Sequence, residues 1–268
     1  MKKYNWYIAV IGIMIISSCQ KVINIDLNST SPAIVIEANI NDQPGPYSVV
    51  LSQTVNFSEP NTFPAVNGAF VTIADNAGTT DTLFETSTAG TYNTKKIVGV
   101  PGRTYTLTVL ANGKTYTSVC TMPQVVNFDS LVVFKIARTS FGRGGGKTDT
   151  TYLPEALFQD PSTGLHYYRF VETVNDTLLT SINIVNDQLS QGKYVGYPIR
   201  EGHRLNEGDS VKIEMQCIDQ GTYQYFSTFG EASGSTNVTP ANPISNISNG
   251  ALGYFSAHTS RYRSVYIN

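Results

Sequence analysis

Side chains that commonly carry chemistry are scarce in this sequence. Its 268 residues include three histidines, three cysteines and one tryptophan, and charged residues make up 14%. The histidines, His166, His203 and His258, are isolated. None has a metal-ligand spacing, and no two-cysteine set accompanies them. We therefore predict that the protein holds no metal and needs no cofactor.

An excess of charge of one sign is also missing. The formal net charge is −2 at pH 7, which leaves no basic surface for nucleic acid, so no nucleic-acid partner is expected.

Long apolar runs are absent too. The N-terminal run at 6–16 falls short of the roughly 20 residues that a spanning helix needs, and no later segment reaches that length.

Two stretches approach known catalytic motifs and fail. "FGRGGGKT" (141–148) ends like a phosphate-binding loop, but the required first glycine falls on Phe141 and no helical pattern follows. "GEASG" (230–234) has its serine one place late for a nucleophile elbow. We therefore assign no catalytic or cofactor-binding residue and predict that the protein is not an enzyme. A glycan-active enzyme stays open as a minor alternative, because folding sets the separation of paired carboxylates.

The N-terminus of the chain has the parts of a secretory signal. Lys2 and Lys3 precede the apolar run, and two small serines follow it. This order of charge, apolar core and small residues predicts a signal peptide over 1–18. The string "ISSC" that ends at Cys19 is similar to the bacterial lipobox, in which the cysteine receives a diacylglycerol and the chain is cut just before it.

Lipid attachment at Cys19 would decide where the protein resides. Several acyl chains hold a protein in a bilayer far more firmly than one. Residues 19–32 would then form a lipidated tether leading off the membrane of a Gram-negative envelope. The competing interpretation is a buried or disulfide-bonded Cys19 that happens to follow a signal, and the complete order of the signal's parts favours lipid attachment.

The remaining chain is rich in Thr, Ser, Val, Tyr, Asn and Gly, which is typical of a β-protein. The clearest hairpin is "GRTYTLTVLANGKTYTSVCTMP" (102–123), where apolar and threonine residues alternate around the tight-turn pair Asn112-Gly113. Strands at this spacing predict an immunoglobulin- or transthyretin-like sandwich over 33–123. The predicted fold class is mainly all-β, with two sandwich-like domains.

The second predicted domain, 124–268, is β-rich with one short helix. "DSVKIEMQCI" (209–218) alternates as a half-buried strand. "QGTYQYFSTFGEA" (220–232) breaks that alternation, and the spacing of three and four between Tyr223, Phe226 and Phe229 or Gly230 predicts the helix.

Three features leave alternatives open. Cys120 and Cys217 fall in different predicted domains, which favours two buried free thiols over a disulfide. The sixteen tyrosines suit core packing better than a sugar- or protein-binding surface. The segment "NISNGALGYFSA" (246–257) is interpreted as a structural loop that fastens the helix and the last strand to the second domain, with a partner-binding loop as the alternative.

A set of strings spread along the chain resembles one known family. They are "INIDL" (23–27), "IVIEANI" (34–40), "VVLSQT" (49–54), "YTLTV" (105–109), "TMP" (121–123), "DSL" (129–131), "DP" with "YYRF" (160–170), "GDSVKIEMQCID" (208–219), "YQYF" (223–226) and "NISNGALGYFSA" (246–257). In this order they resemble the Bacteroidota lipoproteins catalogued as domain of unknown function 4249. The resemblance implies an envelope lipoprotein, often encoded beside TonB-dependent transporters, with no established catalytic residue.

These observations predict an outer-membrane-anchored accessory subunit that binds or docks, with a TonB-dependent transporter as partner. The lipid bilayer is its other partner, through Cys19, and the ligand is not indicated. Both membrane faces are compatible with Gln20 and Lys21 after the lipid cysteine, since the first acidic residue is Asp26. The alternative is a fimbrial-type subunit that polymerises by strand addition, for which Arg103 would be the cut site.

Overall fold

The computed structural model describes residues 32–268 except 57–58, 61, 143–144, 201–203 and 234–241, and for 138–149 it describes only the backbone. The predicted signal peptide (1–18), Cys19, nearly all of the tether and His203 lie outside these residues. In the part of the chain that is described, no helix combines the length and apolarity needed to cross a membrane.

Strands dominate the described residues, and one α-helix accompanies them there. The helix, α1, is Gln220–Ser233. The strands are β1 Ile34–Asn41, β2 Ser48–Gln53, β3 Phe70–Asp75, β4 Thr80–Glu85, β5 Thr91–Asn93, β6 Thr104–Ala111, β7 Lys114–Thr121, β8 Ser130–Gly142, β9 Gly145–Gln159, β10 Tyr167–Val174, β11 Thr177–Leu178, β12 Asn183–Asn186, β13 Tyr194–Pro198, β14 Ser210–Ile218 and β15 Leu252–Tyr266. The predicted class, mainly β with one short helix, is confirmed.

Strands β1–β7 enclose the first hydrophobic core. Their burial alternates along each strand, so that Ile36, Ile73 and Leu107 are fully buried while the residues between them face outward. The predicted β6–β7 hairpin is confirmed, and Asn112 and Gly113 adopt positive φ angles of 51° and 72°, as a two-residue hairpin turn requires.

The second core lies among β8, β9, β10, β13 and β14. Strand β10 pairs with β14 over their full length, and β9 pairs with both β8 and β13. Backbone pairing of β8 with β9 extends to Gly142 and Gly145. The sequence predicts a flexible loop that connects two strands at the glycine-rich stretch 141–148. This prediction is wrong in extent, because most of that backbone belongs to the hairpin.

Helix α1 packs on β10 and β15 and begins at a cap. The side chain of Asp219 accepts a hydrogen bond from the Thr222 N–H at 2.9 Å, which satisfies one of the free donors of the first turn. The helix is confirmed, but its predicted face is shifted. Thr222, Tyr225 and Phe226 are the buried residues, whereas Phe229 is exposed.

Strand β15 joins the two cores. Its first half, from Leu252 to His258, runs parallel to β1, and its second half pairs antiparallel with β14. Phe255 and Ala257 consequently belong to the first core, together with Ile247. The segment 246–257 therefore completes the first core, and its predicted place in the second domain is wrong. The prediction that it holds the helix is confirmed, because Tyr254 packs on Tyr225 and Phe226.

The same segment covers the outer edge of β7. Ser118 donates a hydrogen bond to the Asn246 carbonyl at 2.7 Å, and Ser248 exchanges backbone and side-chain bonds with Thr117. An uncovered edge strand invites pairing with another chain. This loop occupies part of that edge within the molecule itself.

Candidate functional site: an apolar patch and a buried carboxylate cluster

The first candidate site is an exposed apolar patch, formed by Phe70, Phe84 and Leu110. The three side chains are 54%, 50% and 45% exposed. Phe70 is directly opposite Leu110 in the β3–β6 register, and Phe84 continues the β3–β4 register by one position. Three large apolar side chains on adjacent strands thus form one contiguous surface, which is the kind of surface that marks an interaction site.

On β3, β4, β6 and β7, the outward positions of this sheet face carry no charge. It includes the exposed Val119 and a series of threonines. The threonines are Thr72, Thr80, Thr82, Thr104, Thr106, Thr108, Thr115, Thr117 and Thr121. β-Branched threonine suits an exposed strand face by its packing alone, so the apolar patch, rather than the threonines, is the feature that points to a partner.

Lys95 borders the patch. Its ammonium lies 3.5 Å from the centre of the Phe84 ring. Its loop is held by the buried Asp81, whose Oδ2 accepts the backbone N–H groups of Lys95, Lys96 and Ile97. Burial opposes ionisation of Asp81, but these hydrogen bonds outweigh it and lower the pKa of its carboxyl.

The patch lies at the end of the first sandwich where the described chain begins. Ile34 pairs with Gln53, whose N–H in turn donates to the Pro64 carbonyl at 2.9 Å. The chain then bridges Ser52 at Ala65 and enters β3 at Phe70, six residues after Pro64. A tether that ends before Ile34 would therefore reach the fold close to the patch.

The second candidate site is a carboxylate–histidine cluster beside the second core. Asp160 and Asp187 are each 1% exposed. His166 is in the same loop as Asp160, and its ring contacts Asp187. The Nδ1 of His166 is 2.7 Å from Asp187 Oδ2, and Tyr168 donates its hydroxyl to Asp160 Oδ1 at 2.5 Å. Burial is the main cause that raises the pKa of Asp160, and the charge of Asp187 adds to it.

The two remaining cysteines and the largest buried tyrosines lie in the cores. Cys120 and Cys217 are both buried and free, which confirms the prediction of two thiols. Tyr92, Tyr105 and Tyr168 are among the largest fully buried side chains, which supports the core-packing interpretation of the tyrosines.

Sequence reasoning missed both candidate sites. For the patch a signal was present, because Phe70 and Leu110 stand in the outward phase of strands whose other outward residues are mostly threonine. For the cluster there was none. His166 and Asp187 are 21 residues apart, and a separation of that length along the chain does not predict that two side chains are in contact.

The second described histidine, His258, is buried away from solvent on β15. Burial lowers its pKa to about 4, against the opposing charge of Glu214, whose carboxylate is 4.0 Å away. Arg169 lowers the pKa further, and Asp42 raises it. His258 is consequently neutral in the folded protein at pH 7.

This burial makes stability depend on pH. His258 binds a proton near pH 6.5 in the unfolded chain and near pH 4 in the folded chain. Its contribution to stability is therefore fully present above pH 6.5, and about 3 kcal/mol of it is lost as the pH drops to 4. Urea denaturation at several pH values checks this, with His258→Asn as the comparison. If the variant keeps the parent's slope between pH 6.5 and 4.5, His258 is not the responsible group.

Comparisons with known proteins bear on the whole chain. A family model described as "Domain of unknown function (DUF4249)" matches residues 20–264. None of the curated proteins matches the chain. Among solved structures, a two fibronectin type-III domain segment from chicken tenascin is similar at 11% identity, covering 70% of this chain and 91% of that chain, with a TM-score of 0.22. Because the family model spans most of its length, this chain belongs to the family of domain of unknown function 4249.

Proposed function

We propose that the protein is a lipid-anchored accessory subunit of the bacterial outer membrane, which docks on a membrane-embedded partner, a TonB-dependent transporter. One observation carries the proposal. The exposed patch of Phe70, Phe84 and Leu110 lies at the end of the first core where the described residues begin, and this end would face the membrane if Cys19 is acylated.

The proposed tether fits this arrangement. Residues 19–32 are fourteen residues, which reach at most about 50 Å when fully extended. A chain held at such a distance samples a small volume above the bilayer. Its effective concentration for a partner in the same membrane is accordingly high, so even a weak contact is occupied.

The chemistry of the patch suits a protein partner. Aromatic residues are enriched at the centre of protein interfaces and charged residues are depleted there. The patch has two phenylalanines and a leucine, with uncharged threonines next to them on β3 and β7. The ammonium of Lys95 lies over the Phe84 ring, so it would lie at the rim of such an interface.

The fimbrial alternative has less support. Strand addition after cleavage at Arg103 would release β1–β5, including the central strand β1, which is paired on both sides. Arg103 is also held in an ion pair with Asp75 at 2.7 Å. A cut there would remove much of the first core instead of a single exchangeable strand.

The test compares co-purification of the transporter with three variants of the full chain. Phe70→Ser with Phe84→Ser is expected to weaken the association at least tenfold, since buried aromatic anchors contribute about 2 kcal/mol or more each. Val119→Ser is the matched control, because Val119 is 60% exposed on the same face but pairs with Thr106 away from the patch. Cys19→Ala is expected to move the protein from the membrane to the soluble fraction.

Two results would contradict the proposal. One is membrane partitioning and lipid labelling that persist in Cys19→Ala. The other is equal loss of the transporter with the patch double variant and with Val119→Ser. Substitutions at exposed positions should leave the melting temperature within about a degree or two of the parent, which separates a docking defect from unfolding.

A further inference from the structure

The cluster of Asp160, His166 and Asp187 has one acceptor that nothing in the described structure satisfies. Both oxygens of Asp187 are engaged, Oδ1 by the His166 backbone N–H and Oδ2 by the His166 ring. Asp160 Oδ1 accepts from Tyr168. Asp160 Oδ2 has no hydrogen-bond partner among the described residues, although Asp160 is only 1% exposed.

The charges of the cluster are poorly balanced. Two buried carboxylates face each other, and no described lysine or arginine forms an ion pair with either of them. The ammonium of the nearby Lys193 instead donates to the Leu189 carbonyl at 2.9 Å. Burying a carboxylate without a compensating charge is strongly unfavourable, so this arrangement favours an added positive charge.

We propose that Asp160, His166 and Asp187 bind a divalent metal ion. One potential ligand atom from each residue lies within 4.8 Å of the other two. Two nitrogen or oxygen ligands at about 2.1 Å from one tetrahedral ion lie about 3.4 Å apart, so a small inward shift of these side chains would complete the site. The Nδ1 of His166 and Oδ2 of Asp187 would ligate the ion in place of the proton that they now share, and Asp160 Oδ2 would be the third ligand.

The donor set indicates the class of ion. Carboxylate oxygens alone would suit Ca²⁺ or Mg²⁺, which take oxygen ligands. An imidazole with two carboxylates instead favours a first-row ion such as Zn²⁺ or Mn²⁺. The side chain of His166 is 22% exposed, so the ion has a route from solvent and a position for water.

The backbone already holds the ligands in place. Asp160 N–H donates to the Lys193 carbonyl, Gly192 N–H to that of Pro161, and Asp187 N–H to that of His166. These bonds join the loop after β9 to the turn before β13. A metal ion would therefore bind a site that is largely formed beforehand, and it would fasten this corner of the second core.

The experiment measures binding of Zn²⁺ and Mn²⁺ to the full chain by calorimetry, after treatment with chelator and dialysis. One ion per chain is expected, with a rise in melting temperature, and Ca²⁺ should bind much more weakly. Asp160→Asn retains the size of the side chain and an acceptor for Tyr168, yet it and His166→Ala should weaken binding at least tenfold. Asp176→Asn, in an exposed turn, is the matched control and should bind like the parent.

The proposal fails if no saturable binding occurs at millimolar Zn²⁺ or Mn²⁺, or if Asp160→Asn binds as tightly as Asp176→Asn. It also fails if Asp160→Asn raises the melting temperature of the metal-free protein while metal has no effect on the parent. That pattern would mean that the two carboxylates share only a proton. None of these outcomes depends on docking to a transporter.

Discussion

Gly253→Ala is expected to destabilise the protein by at least about 3 kcal/mol, enough to reduce its folded yield. Gly253 has a φ of +92°, a conformation that side chains disfavour, and a Cβ there would lie 2.1 Å from the Ile36 carbonyl oxygen. The contact involves backbone atoms of β1, the partner of β15. Rotation of a side chain cannot relieve it, so the two strands would have to separate.

Gly250→Ala is the matched control for this change. Gly250 also has a positive φ, of +73°, but a Cβ there would meet nothing within 4 Å. Only the conformational cost applies, about 1–2 kcal/mol. Thermal and urea denaturation of both variants check the difference. Equal losses would mean that the close approach of β15 to β1 is not a feature of the folded protein.

Phe255→Ala is expected to cost about 3–5 kcal/mol, the usual range for removing a phenylalanine from a core. Phe255 is fully buried among the residues of the first core. Its N–H donates to Asn246 Oδ1 at 2.9 Å, and its carbonyl accepts from Asn246 Nδ2 at 2.8 Å. Leu252→Ala, at a half-buried position of the same strand, should cost clearly less.

The two variants also test the alternative role of the segment 246–257 as a partner-binding loop. A fully buried phenylalanine offers no surface to a partner, so its effect should be on melting temperature and yield. A Phe255→Ala protein that melts like the parent yet no longer co-purifies with an outer-membrane transporter would show that the segment is an interface.

Local pattern was sufficient for many elements. The β6–β7 hairpin follows from alternation around Asn112-Gly113, β14 from alternation at 210–218, and α1 from the break in alternation after residue 219. In each case the signal and the structure it predicts lie within about 20 residues. The buried face of α1 was misplaced because β10 and β15, which pack against it, come from elsewhere in the chain.

Distant pairings were beyond the sequence pattern. β1 and β15 pair in parallel across more than 200 residues, Val35 with Leu252 and Asn41 with His258. Alternation shows that each is a strand but not which strand lies beside it, since any half-buried strand presents the same period. For that reason residues 246–257 were predicted in the second domain, while the structure places their apolar side chains in the first core.

The sequence by itself determined the β-rich class, the hairpins, the helix and the family, because these depend on short-range periodicity and on strings of residues. Tertiary structure alone decided which strands meet, and with them both candidate sites. Phe70, Phe84 and Leu110 become one patch only through the register of three strands. Asp160, His166 and Asp187 become one cluster only because two loops are joined by backbone hydrogen bonds. The physical reason is that contacts between distant residues depend on how whole strands pack, which no local spacing records.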